Sequence, residues 1–349
     1  MSHKTIHVAA SRSYDIYIGE NILPQIGEFI RPLVGECRVA LLTDSNVDAL
    51  YGNAITEYLQ AAGYVASKFV IPAGEASKNA ENLLAFLNFL ACEQLTRSDA
   101  IIAFGGGVVG DLGGLSASLY LRGVKYIQVP TTLLAAVDSS VGGKTAIDIP
   151  AGKNLVGSFY QPSLVCCDTK LMDTLPADIY RDGCAEVIKY GVILDKALYS
   201  TLQSIPFERS SVVARCVEIK RDVVQQDEFD NGLRGLLNFG HTFGHAIEKL
   251  SNFAVSHGEA VAKGMVIAAK IAPLCGLCDI CDELSALLVR YGFDIECRYS
   301  AAEMYASILS DKKRRGGNIT IVLPRAVGDC ALVTVTLEEL ENLLNKVID

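Results

Sequence analysis

A chain of 349 residues exceeds what one hydrophobic core usually organises, so about two domains are expected. Half the residues are apolar and a fifth charged, which excludes a disordered chain, and a formal net charge of -9 argues against nucleic-acid or anionic-membrane partners. The apolar runs are too short, or broken by Lys270, to span a bilayer; residues 1–10 lack a signal-peptide core; and eleven scattered cysteines suit reduced thiols and a cytoplasmic location.

In chain order, short β-branched runs at Val39–Thr43, Val65–Ile71, Ala100–Phe104, Lys125–Val129 and Leu164–Cys167 read as buried parallel strands. A helix over Asn79–Leu95 carries an apolar stripe of Leu83, Leu84, Phe86, Leu87 and Leu90, and the alternation predicts a βαβ series. After Pro176 the periods lengthen to helices over Ile179–Leu202, Ser210–Gln226, His241–Leu250 and Gly258–Ala272, followed by strands at Asn318–Leu323 and Cys330–Val335 around Gly328 and Asp329. The expected fold is α/β. A Rossmann-like α/β domain (1–176) precedes a mainly α-helical domain (177–349); the glycine turn of the first and the histidines of the second make them the expected nucleotide-binding and metal- and substrate-binding domains.

Gly105, Gly107 and Gly110 follow the Ala100–Phe104 strand in a G-x-G-x-x-G spacing that opens a helix. Such glycines let backbone N–H groups and the positive helix end approach a pyrophosphate. No acid follows about twenty positions on, so a ribose would have to be held from elsewhere. The stretch Asp138–Thr145 is a near miss to a P-loop: Asp138 replaces its first glycine, which excludes an ATPase and leaves Lys144 as a point charge for an anion. Lys153 and Asn154 add another cation and an amide nearby.

Three of the five histidines fall in Asn238–His245 and Ser256–Glu259. Four-residue spacing pairs His241 with His245 as metal ligands on one helix face, with a hydrogen-bonded helix pair as the alternative. Glu186 and Lys189 stand one turn apart among apolar residues, where charges are costly unless paired or bound to metal. Cys275, Cys278 and Cys281 lack a second thiolate pair and read as small core residues.

Taken together, these motifs resemble the 3-dehydroquinate synthase family over nearly the whole chain. The match runs through Thr43–Asn46, Pro72–Lys78, the glycine turn, Tyr120–Gly123, Pro130–Ala135, Asp138–Lys144, Gly152–Asn154, Ala185–Lys189, Asn238–His245, His257–Ala260 and Asp311–Lys313. The resemblance implies conversion of 3-deoxy-D-arabino-heptulosonate 7-phosphate to 3-dehydroquinate and phosphate: transient oxidation by NAD, β-elimination, re-reduction, ring opening and aldol closure. It also implies one divalent ion, zinc or cobalt, on Glu186, His241 and His257, which moves His245 from ligand to proton handling.

The same resemblance assigns NAD to Asp44, Asn46, Glu75, Lys78, Gly106, Gly107, Val108, Asp111, Thr131, Thr132, Asp138, Ser139, Lys144, Lys153, Leu171, Thr174 and Leu175. Substrate would meet Asp138, Lys144, Lys153, Asn154, Glu186, Lys189, Lys220, Arg234, Asn238, His241, His245, His257, Lys312 and Lys313, with Arg122 supplied by the second subunit of a homodimer. Catalytic roles fall to His245, Lys189, Lys144, Asn238, Arg234 and Lys220. Related cyclases forming valiolone or deoxyinosose, and a polyol dehydrogenase releasing NADH without phosphate, are the competing readings.

Overall fold

The computed structural model describes residues 3–310 and 317–348, so Lys312 and Lys313 lie outside the described residues. Two compact units emerge. One runs to Leu175 and takes in Arg209–Phe229; the other comprises Pro176–Glu208 and the chain from Asp230 onward.

The first unit holds strands β1 (Lys4–Val8), β2 (Tyr14–Gly19), β3 (Arg38–Asp44), β4 (Val65–Ile71), β5 (Ala100–Gly105), β6 (Lys125–Pro130), β7 (Lys144–Ile149), β8 (Gly152–Phe159) and β9 (Leu164–Asp168). Seven form one sheet in the order β1-β2-β9-β6-β5-β3-β4, while β7 and β8 make a separate antiparallel hairpin. Only β1 against β2 is antiparallel in the large sheet.

Burial on both faces explains why β3 is apolar without alternation. Val39 and Leu41 join a core with Ile102, Phe104, Ile127 and Val129, completed by helices α1 (Ile26–Val34) and α3 (Asn53–Ala61), beyond the short turn α2 (Ser45–Val47). Ala40 and Leu42 face the opposite core with Ile101, Ala103 and Tyr126 under α4 (Ala80–Cys92) and α5 (Gly107–Leu119). Strand order reverses at β3, which has β4 on one side and β5 on the other. In open α/β sheets that switch point leaves a ligand crevice outside the carboxyl ends of the strands.

Next along the chain are α6 (Ala177–Leu194) and α7 (Lys196–Thr201) in the second unit, then α8 (Arg209–Gln226) in the first. One helix was expected over Ile179–Leu202; it breaks at Asp195, whose carboxylate caps the N–H groups of Ala197 and Leu198 at 2.9 Å. Helix α8 was expected to belong with residues 177–349 but groups with the first unit. There Glu218 pairs with Lys4 at 2.6 Å and Gln225 accepts from Ala9 N at 3.1 Å.

The second unit continues with α9 (His241–Leu250), α10 (His257–Leu274), α11 (Cys281–Arg290), α12 (Ala301–Ser310), the antiparallel hairpin β10 (Asn318–Ala326) and β11 (Asp329–Thr336), and α13 (Leu337–Val347). Cys275, Cys278 and Cys281 are not core residues as expected: Cys278 is exposed, and all three lie at or between the ends of α10 and α11, where Gly276 turns the chain at φ +75°. Among the described residues no helix is long and apolar enough to cross a membrane.

Candidate functional site

Helix α6 is buried along most of its length from Gly183 to Ile193, and this burial carries two charged side chains with it, Glu186 and Lys189, each only 1% exposed. Lys189 Nζ donates to Glu186 Oε2. The other carboxylate oxygen, Oε1, is buried with no hydrogen-bond partner among the described residues, yet lies 3.3 Å from His241 Nε2 and 3.4 Å from His257 Nε2. His241 opens α9 and His257 opens α10.

His241 Nδ1 stands 3.1 Å from the Phe239 carbonyl, which can only accept, so that nitrogen carries the proton and Nε2 presents its lone pair. A lone pair then faces a carboxylate oxygen at 3.3 Å. Two acceptors at that distance are reconciled by a shared proton or a cation. The ligand atoms of Glu186, His241 and His257 all lie within 4.8 Å of one another, and one carboxylate with two imidazoles is the donor set of catalytic zinc sites that keep an open position. The residues therefore fit a divalent ion.

His245, paired with His241 by helical spacing, is outside this trio. Its ring sits edge-on to that of His241, with centroids 5.4 Å apart and 6.4 Å from His257. Four-residue spacing identified a shared face but could not reveal that the third ligand lies on α6.

Electrostatics distinguish the three ligands. Burial pushes the Glu186 carboxyl up, but Lys189 and the two imidazoles outweigh it and hold the group well below its ordinary value. Burial lowers His241 despite Glu186. Burial also opposes charge on His257, but the neighbouring carboxylates of Glu186 and Glu248 prevail and raise it to about 10. Glu248 Oε1 is 3.5 Å from His257 Nδ1. Sequence reading missed Glu248, although it lies seven residues after His241 and three after His245 on the same helix.

In the first unit, residues expected to meet NAD gather at the carboxyl ends of the parallel strands. Asp44 ends β3 and caps Asn46 and Val47 N–H groups; Glu75 and Lys78 follow β4; Gly106 and Gly107 follow β5; Thr131 and Thr132 follow β6; Leu171, Thr174 and Leu175 follow β9. Helix α5 starts at Gly107 with no side-chain cap, leaving its first N–H groups directed at the crevice. A Cβ on Gly106 would come within 3.2 Å of Thr132 Cγ2, and one on Gly107 within 3.4 Å of Ser139 Oγ, so side chains there would fill the cradle. Val108 is in the first turn of α5. The Thr131 and Ser139 hydroxyls are buried without a hydrogen-bond partner among the described residues. These features fit a dinucleotide pyrophosphate at the β3/β5 switch point.

Lys78 is nearly buried within a ring of acids: Glu75 at 2.8 Å, Asp111 at 3.3 Å and Asp148 at 3.9 Å. Burial raises Asp111 to about 6 even though Lys78 draws it down. Lys220, on α8, bonds to Asp138 Oδ1 at 2.9 Å and to the Asp138 carbonyl, a pairing that 82 residues of separation hid. Lys144 starts β7; Lys153 and Asn154 lie in β8, with Asn154 N donating to Asp148 at 2.7 Å. In the second unit, Arg234 and Asn238 lie on the turn Leu233–Asn238, with Arg234 buried. Arg122 is on the turn Tyr120–Arg122 of the first unit, at φ +66° beside Leu121 at +49°.

The sequence model of the 3-dehydroquinate synthase N-terminal region matches residues 68–182, and that of its C-terminal region residues 183–314. A 3-dehydroquinate synthase of Enterococcus faecalis is 43% identical, covering 96% of this chain and 97% of its own; one of Pelobacter propionicus is 45% identical, covering 98% and 99%. Among solved structures, 2-deoxy-scyllo-inosose synthase complexed with carbaglucose-6-phosphate, NAD+ and Co2+ superposes with TM-score 0.87 at 25% identity over 99% of this chain and 100% of that one. The 2-epi-5-epi-valiolone synthase of Streptomyces hygroscopicus, with NAD+ and Zn2+ bound, gives 0.86 at 27% over 98% of each. An iron-containing alcohol dehydrogenase of Thermococcus thioreducens shares the fold at 16% identity and TM-score 0.66, covering 96% of this chain and 98% of its own.

Proposed function

Because the chain belongs to the 3-dehydroquinate synthase family, we propose that it converts 3-deoxy-D-arabino-heptulosonate 7-phosphate to 3-dehydroquinate and phosphate. The observation that carries the reading is the trio Glu186, His241 and His257, with a buried carboxylate oxygen shared between two imidazoles. Glu186 Oε1, His241 Nε2 and His257 Nε2 would hold one zinc or cobalt ion, and the β3/β5 crevice would hold NAD. Bound there, the ion supplies Lewis acidity at a substrate hydroxyl and the nicotinamide a reversible hydride acceptor.

The chain's own residues then bind, orient and handle protons. Backbone N–H groups at Gly106, Gly107 and Val108 receive the pyrophosphate, while Asp44, Asn46 and Glu75 offer acceptors and an amide to the adenosine side. Lys144, Lys153, Asn154, Lys220, Arg234 and Asn238 supply charge and hydrogen bonds to the substrate carboxylate and phosphate, joined by Lys312 or Lys313. The buried Lys189 Nζ stabilises negative charge developing on substrate oxygen, and a ring nitrogen of His245 exchanges a proton with it.

A homodimer is part of this reading. Leu121, Arg122 and Gly123 take positive φ in succession, and Leu119 and Leu121 beside Arg122 are exposed; Arg122 would reach the second subunit's substrate. All eleven cysteines are free thiols, which supports a cytoplasmic setting.

The test is to incubate purified protein with the heptulosonate phosphate and substoichiometric NAD, following phosphate, product and 340 nm absorbance with and without a chelator. Stoichiometric phosphate release without NADH accumulation, abolished by the chelator, is expected. NADH rising to the amount of NAD added, without phosphate, would instead identify a polyol dehydrogenase.

A further inference from the structure

Two of the three metal-site residues are joined by a second connection that bypasses the ligands themselves. Asp182 lies one turn before Glu186 on α6, and its Oδ1 accepts from Ser256 Oγ at 2.6 Å. Ser256 is the N-cap of α10: the same hydroxyl accepts from Glu259 N at 3.4 Å, and the next residue is His257. An N-cap serine needs no partner on another helix. Here it has one.

The backbone enforces the same contact. A Cβ on Gly258 would fall 2.4 Å from Asp182 Cα and 2.5 Å from its carbonyl oxygen, so the first turn of α10 is pressed against α6 at a distance that only glycine allows. Glu186 and His257 leave these two helices within a turn of the contact, and their ligand atoms end 3.4 Å apart. We infer that Asp182 is a positioning residue, which through Ser256 sets the span between Glu186 Oε1 and His257 Nε2 and with it the affinity of the metal site.

This inference rests on the proposed metal role of that trio, and the experiment separates the two. Full-length metal-free protein is titrated with Zn2+ against a chromophoric chelator, and with Co2+ by visible absorption. Asp182→Ala and Ser256→Ala should each weaken Zn2+ binding about 10- to 100-fold, as partners of ligating residues do, and change the Co2+ band. Asp182→Asn and Ser256→Thr keep the acceptor oxygen and the hydroxyl, so they should stay within about threefold of the parent while the double alanine variant binds no more weakly than the worse single. An Asp182→Ala protein with parental Zn2+ affinity and Co2+ spectrum overturns the inference, as does Asp182→Asn falling as far as alanine. Should the parent bind neither ion, the metal reading fails instead. Loss of the cap in Ser256→Ala can lower stability by itself, and Asp182→Ala, which leaves the cap in place, then decides.

Discussion

Loading the metal site should release one proton, and that proton should come from His257. In metal-free protein this ring sits between Glu248 at Nδ1 and Glu186 at Nε2, which raise it to about 10. Both nitrogens are therefore protonated at pH 7.5, and an ion taking Nε2 must expel the proton directed at Glu186. His241 contributes none, since burial holds it below its ordinary value and its proton stays on Nδ1 against the Phe239 carbonyl. Glu186 contributes none, being held ionised. A group with a value near 10 weakens apparent binding about 300-fold at pH 7.5, which screening of its partly exposed ring reduces to roughly 30- to 300-fold. Affinity should then rise about tenfold per pH unit between pH 6.5 and 8.5. Calorimetric Zn2+ titrations in buffers of different ionisation enthalpy measure both quantities. Zero protons released, or affinity flat across that window, would refute the assignment; two would mean that His241 is also charged.

Four further outcomes follow from the same geometry. Glu248→Leu removes one of the two carboxylates that hold the His257 proton, so proton release at pH 7.5 should fall below one, while affinity extrapolated to the neutral ring drops about 10-fold because the ring loses its anchor. His257 has a folded value above its unfolded one, so its contribution to the stability of metal-free protein is complete below about 6.5 and lost as pH rises through about 10; thermal unfolding should show that decline without metal and lose it with Zn2+ bound. Lys78→Met strands Glu75, Asp111 and Asp148 without their cation and should destabilise the first unit by about 3 kcal/mol at pH 8, and by less at pH 5, where Asp111 already carries a proton. Gly107→Val should abolish NAD binding by equilibrium dialysis while leaving Zn2+ affinity unchanged, because its side chain enters the space above the α5 N-terminus.

The central sheet was legible because two-sided burial imposes apolar runs such as Ile101–Phe104 that few other structures require. β1 and β2 were not, because their register puts exposed Lys4 and Thr5 and half-buried Asp15 and Tyr17 among the buried Ile6, Val8 and Ile16. The β7–β8 hairpin was hidden by Gly152 and Gly157 in a strand that is largely exposed. Helix α8 shows where pattern reading stops: its apolar positions state that a face is covered, not which unit covers it. The metal trio posed the same problem at larger scale. Spacing could compare His241 with His245 along one helix, but Glu186 lies 55 residues earlier, and proximity across helices leaves no mark in local periodicity.

In a chain of net charge -9, four lysines are nonetheless buried. Lys78, Lys189, Lys220 and Lys263 are each at most 5% exposed, and each is matched to carboxylates: Lys78 to three, Lys189 to Glu186, Lys220 to Asp138, Lys263 to Asp294. Such pairing lets lysine stay charged where an isolated ammonium would lose its proton. At Glu186 the benefit runs the other way. A carboxylate so buried would ordinarily become neutral, and the Lys189 ammonium keeps it ionised. The anionic ligand is thus ready before any ion arrives, and the protonation barrier to metal loading is confined to one imidazole. Replacing Lys189 should therefore add Glu186 to His257 in the pH dependence of metal binding, separating the electrostatic role of Lys189 in the metal site from any contact it makes with substrate.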